Sequence, residues 1–137
     1  MDLTASFQTL NWLAILFAAL STFLIGGLWY SPLLFEKEWL ISNDFKPEDL
    51  KRRNMPVTFG LTFLLSVIMA LNLALFIGIE GVGYGITAGF FAGLGWVFMA
   101  IGIIALFEQR SLKYILINGG YMVVAFIVMG AILGAWK

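Results

Sequence analysis

Asn118 and Tyr121 stand three residues apart in an otherwise apolar run, and at helical spacing they share a face. A carboxamide and a phenol exchange hydrogen bonds but hold no proton that moves near neutral pH, so their chemistry is bridging or recognition. Gly119 and Gly120, between them, let a neighbouring segment come close. Thr62 lies at the expected same depth in an earlier apolar run, as do Gly26 and Gly27 in the first. Asn118, Tyr121 and Thr62 are therefore the candidate intramembrane polar site, serving either as a hydrogen bond between helices or as a ligand contact.

Other chemistries lack their side chains. With no Cys and no His there is no thiol nucleophile, disulfide, or ordinary zinc or copper site, and any metal would have to be a hard ion held by oxygen. No phosphate-binding, dinucleotide-binding or metalloprotease motif occurs. The long apolar runs contain no Asp, Glu, Lys or Arg. This argues against an enzyme and against an ion-coupled transporter, both of which need ionisable groups within the bilayer. The expectation is no catalytic residue, no metal and no cofactor. A net charge of zero gives no general attraction to nucleic acid.

These residues must be positioned by helices. A chain that is 61% hydrophobic and 12% charged has too little polar surface to cover a water-soluble globule. Four uncharged runs, at 12–30, 57–79, 84–107 and 114–136, are each long enough to cross about 30 Å of hydrocarbon. The expected fold is an all-α membrane protein, one four-helix transmembrane domain over residues 1–137. Seven of the eight Lys and Arg lie in the Ser31 to Pro56 and Glu108 to Lys113 loops, which places those loops in the cytoplasm and both termini outside it. The expected location is the inner (cytoplasmic) membrane, crossed several times. Trp12, Tyr84 and Trp136 at one set of ends, and Trp29, Tyr30 and Tyr114 at the other, read as aromatic belts. In the long loop, Pro32 should end the first span. Leu33, Leu34, Phe35, Trp39 and Leu40 among Glu36, Lys37 and Glu38 suit a short interfacial helix. A second short helix is expected at Pro47, closing on Lys51, Arg52 and Arg53.

In lipid, helices associate where small residues let backbones approach. The second span carries Thr58, Thr62, Ser66, Ala70, Ala74 and Gly78 at spacing four, and the first Ala14, Ala18, Thr22 and Gly26. Gly85, Gly89 and Gly93 make overlapping GxxxG steps in the third span, and Gly130 and Gly134 make one in the fourth. Such faces either pack the monomer's own bundle or form a dimer seam, for which the third span is the best candidate, and a homo-oligomer is expected. Two roles then remain. One is a non-catalytic accessory or scaffold protein binding membrane lipid or another membrane protein. The other is a homo-oligomeric transporter or channel for a small neutral or apolar solute, with Glu36, Glu108 and Arg110 at its cytoplasmic mouth.

Several stretches resemble a known family. They are Asn11-Trp12-Leu13-Ala14, Gly27-Leu28-Trp29-Tyr30-Ser31-Pro32-Leu33, Glu48-Asp49-Leu50, Leu116-Ile117-Asn118-Gly119-Gly120-Tyr121 and Met129-Gly130-Ala131-Ile132-Leu133. Together they are similar to the bacterial membrane family known as domain of unknown function 1761. The resemblance implies a small, multi-spanning, mostly bacterial protein and assigns no activity, ligand or catalytic residue.

Overall fold

The computed structural model describes residues 2–50 and 54–137, which form helices and connecting turns with no strand among them. Lys51, Arg52 and Arg53, expected to close a loop helix, lie outside the described residues. Four segments are long and apolar enough to cross a membrane: Trp12–Trp29, Met55–Ile77, Val82–Phe107 and Leu112–Ala135. We call the first, second and fourth α2, α5 and α8. The third comprises α6 (Val82–Ala92), a π-helical turn (Gly93–Phe98) and α7 (Met99–Phe107). The remaining elements are α1 (Leu3–Gln8), α3 (Glu36–Asn43) and α4 (Pro47–Leu50).

Local chemistry sets the ends. The side chains of Asp2, Asn11, Asn54 and Ser111 each accept from a backbone N–H in the first turn of α1, α2, α5 and α8. Asp44, at φ 55°, stops α3 in the left-handed region. Gly78, at φ 60°, turns the chain out of α5, and Lys137 Nζ donates to its carbonyl at 2.6 Å. Desolvation in that corner holds the Lys137 amine below the ordinary lysine range, with the Glu80 carboxylate pulling the other way.

The four spans alternate in direction. Asn11 at the start of α2 reaches Trp136 just past the end of α8, while Trp29 at the end of α2 reaches Ile117 near the start of α8. One side of the bundle thus gathers both termini and the 78–81 turn. The other gathers α3, α4 and the 108–111 turn. We refer to these as the terminal end and the loop end.

Helix α8 is the centre, touching α2, α5 and the third span along its length. Its contact with α6 is backbone on backbone. A Cβ placed on Gly85 would overlap the Gly130 carbonyl, and one on Gly130 would overlap the Gly85 carbonyl. Gly89 is blocked in the same way by the Phe126 carbonyl, and Gly134 would bring a Cβ within 2.6 Å of the Gly81 oxygen. A Cβ on Gly93 would lie 3.0 Å from Val123 Cα. Approach this close brings Cα–H groups onto carbonyl oxygens and multiplies dispersion contacts, which substitute for the hydrophobic force that lipid does not supply. The glycine row of the third span, with buried Ala88 beside it, is therefore consumed inside the chain. It is not free to form the dimer seam suggested for it.

The π turn follows directly. Gly93 and Phe98 both face α8, and they are five residues apart rather than four. A turn with i to i+5 bonding accommodates that spacing and keeps Phe98 on the seam, where its ring lies over Gly119. Against the other side of α8, α2 and α5 supply Ala14, Ile15, Ala18, Ala70, Leu73 and Ile77, which close a tight core around Met129 and Leu133. The loop-end part of α5, residues 55–62, stands exposed, because its inward row begins only at Ser66.

Gly89→Leu tests the backbone seam. The substitution should destabilise the protein by about 3 kcal/mol or more, at the upper end of overpacking costs, because a carbonyl cannot rotate away as a side chain can. A thermal melt in detergent reads this out, with oligomeric state unchanged.

Candidate functional site

Several polar side chains of the spans gather toward the loop end, between α2 and α8. Tyr30, which caps the C-terminus of α2, donates its phenolic proton to Asn118 Oδ1 at 2.7 Å. Asn118 in turn donates from Nδ2 to the Tyr114 carbonyl at 3.0 Å, one turn back along α8. Tyr121 donates to the Thr22 carbonyl at 2.8 Å, and Trp29 Nε1–H to the Ile117 carbonyl at 2.9 Å. The Thr22 hydroxyl lies 3.1 Å from Ser66 Oγ, which carries the network across to α5. Among the described residues, no buried side-chain nitrogen or oxygen lacks a partner.

Aromatic rings occupy spaces that glycines leave. The Tyr121 hydroxyl is 3.2 Å from where a Gly26 Cβ would be, and the Trp29 ring is 3.1 Å from a Cβ on Gly120. With Phe98 over Gly119, three aromatic rings from three helices each meet a glycine on the facing helix. Tyr30 meets Tyr121 and Trp39 edge-on, each at 5.4 Å between ring centroids, which is favoured aromatic geometry. Trp39 belongs to α3, so the same stack holds the loop helix onto the bundle. Trp29 and Tyr30 thus turn inward as bridges between helices.

The structure brings together two of the three expected polar residues. Asn118 and Tyr121 share the cluster, but Thr62 does not belong to it. Its side chain is exposed and its hydroxyl donates to the Thr58 carbonyl one turn back. Thr22 and Ser66, a turn nearer the terminal end, take the place expected for it. The mouth residues also separate. Arg110 lies 3.6 Å from Glu108, both on the exposed 108–111 turn, and the guanidinium sits 5.3 Å over the Tyr114 ring. That pair lines an open surface depression with Ile41, Ser42 and Lys113, and Glu36 is not part of it.

A family model described as protein of unknown function (DUF1761) matches residues 13–134. The chain belongs to this family. No curated protein and no solved structure matches it. In this DUF1761 chain the matched stretch contains all four spans almost entire, the loop helices, and every residue of the cluster.

Beside the cluster, the loop end carries a larger feature that sequence reasoning missed. A groove of about 660 Å³ runs between α3 and the start of α8. Its floor is Trp29, Leu34, Phe35, Leu116 and Ile117, and its rim carries one acid, Glu38, and one base, Lys113. Trp29 and Phe35, 4.8 Å apart between ring centroids, form one wall. The sequence signal was the Trp29 to Phe35 segment itself, where Pro32 folds the chain back on the span.

The Tyr30 and Asn118 pair should behave as an ordinary interhelical bond. A double-mutant cycle of Tyr30→Phe and Asn118→Leu, followed by unfolding in mild detergent, is expected to give a coupling of about 0.6 kcal/mol. Thr62→Val, on the exposed face, should leave stability within about 0.5 kcal/mol of wild type.

Proposed function

We propose that this protein is a non-catalytic accessory or scaffold protein of the bacterial inner membrane, and that it holds a zwitterionic aminophospholipid in the groove between α3 and α8. The observation that carries this reading is the groove's composition. Its floor is apolar and aromatic, while Glu38 and Lys113 on its rim lie beyond ion-pair distance of each other. An acyl chain fits the floor, a lipid phosphate suits Lys113, and a headgroup ammonium suits Glu38. The polar cluster beside it supports the same role, since each phenolic proton there is already donated to an oxygen of the protein. A group spent in this way holds helices together and has nothing ready for a substrate.

Orientation enters this proposal through the basic residues. Seven of the eight Lys and Arg fall in the 31–56 and 108–113 stretches of the sequence, which favours a cytoplasmic loop end and, with it, a groove in the inner leaflet. A second membrane protein is a further candidate partner for the exposed helix faces.

The lipid is tested by native mass spectrometry of protein extracted in mild detergent and reloaded with defined lipids. Phosphatidylethanolamine should be retained over phosphatidylglycerol, and Lys113→Ala with Glu38→Gln should lower retention roughly tenfold. Equal retention of both lipids, or no effect of the two substitutions, would sink the headgroup assignment.

Orientation is tested by single cysteines, which have no background because the sequence contains none. Cysteine at Val82 should react with an impermeant thiol reagent on intact cells, and cysteine at Asn54 should not. The opposite pattern would invert the protein.

A further inference from the structure

The second span presents an outward face that the bundle leaves uncovered. Thr58, Leu61, Leu65, Ile68, Asn72 and Leu75 follow one another at spacings of 3, 4, 3, 4 and 3. That is the a and d pattern of a coiled-coil seam, continued for more than two heptads. Thr58 through Asn72 are all exposed along this line, and Leu75 is half-buried. The row packed into the bundle is Ser66, Ala70, Leu73 and Ile77. At 3.6 residues per turn, Ala70 and Asn72 point roughly 200° apart, so the seam lies opposite the packed face.

Asn72 distinguishes this face from ordinary lipid-facing surface. Its Nδ2 donates to the Ile68 carbonyl at 2.8 Å, one turn back. That bond uses one of two amide hydrogens. Among the described residues, Oδ1 receives no donor and the second hydrogen finds no acceptor. Asn72 lies about a turn and a half inside the end of a 23-residue span, where hydrocarbon supplies no water to complete the set.

We propose that α5 is the interface of a parallel homodimer, in which Asn72 pairs with Asn72 of a second copy. The occupant is argued from complementarity. A carboxamide holds a donor and an acceptor side by side, so two of them related by a two-fold axis satisfy each other with reciprocal N–H to oxygen bonds. Every copy inserts in the same sense, so a two-fold axis along the membrane normal brings Asn72 to the same depth in both subunits. A foreign partner would need a matching polar group at that depth. The leucines and isoleucine of the seam then interlock as a and d side chains, with Asn72 fixing their register.

Single cysteines at Leu65, Ile68 and Ile103 in the full chain, oxidised in native membranes, provide the test. Covalent dimers are expected from Leu65 and Ile68, and not from Ile103, which is exposed on the third span. Asn72→Leu should weaken dimerisation in lipid nanodiscs roughly five- to tenfold, the effect of two interhelical amide bonds, and Asn72→Gln should restore most of it. A thermal melt of the same variants separates loss of association from loss of folding. A monomer without cross-links at Leu65 or Ile68, or cross-linking at Ile103 to the same extent, overturns the proposal. So does an Asn72→Leu protein that dimerises as wild type, or one that loses thermal stability while its dimer is unchanged.

Discussion

Everything in this bundle depends on how close two backbones can come where no water is present to drive them together. Gly85 and Gly130 set the minimum, each placing its carbonyl where the other's side chain would otherwise be. Once α6 lies that near α8, the rest of the third span must stay on the same seam. The π turn at Gly93–Phe98 is how it does so. At the loop end, Phe98, Trp29 and Tyr121 then fill the space left by Gly119, Gly120 and Gly26, so contact is made by rings on glycines where backbones no longer touch.

The architecture was readable because apolar length and charge placement are properties of consecutive residues. The four spans begin and end within two residues of the runs read from the sequence. Rotation about each helix axis was far less readable. An amphipathic helix of a soluble protein announces its inward face, but a span that is apolar all round does not. Thr62 shows a second limit of this kind. Its depth follows from counting residues at about 1.5 Å each, and it shares a row with Ser66 and Ala70, yet no neighbour covers that row at the loop end of α5, so Thr62 stands exposed.

The aromatic residues carried a second ambiguity. A Trp–Tyr pair at the end of a span suits a membrane interface, and it equally suits an interhelical clamp if glycines wait opposite. Gly26, Gly119 and Gly120 were that signal, legible as small residues but not as sockets until the partner rings were placed. The groove beside them was invisible for a related reason. It is formed by a loop helix docked through Trp39 onto Tyr30, a contact between residues far from any regular spacing. The five-residue step from Gly93 to Phe98 is likewise defined only by the helix on the other side of it.

The central place of α8 bears on how the protein is made. Spans enter the bilayer in chain order, and of the four the fourth leaves the ribosome last. The first two can already meet through Thr22 and Ser66 and their alanine rows. The third must wait in lipid with Gly85, Gly89 and Gly93 uncovered, a bare strip of backbone that any passing helix with a small-residue face could occupy. Biogenesis therefore includes an interval in which the nascent protein is inserted but unassembled. It lasts at least as long as the translation of the 108–137 stretch, and it ends when the fourth span covers that strip.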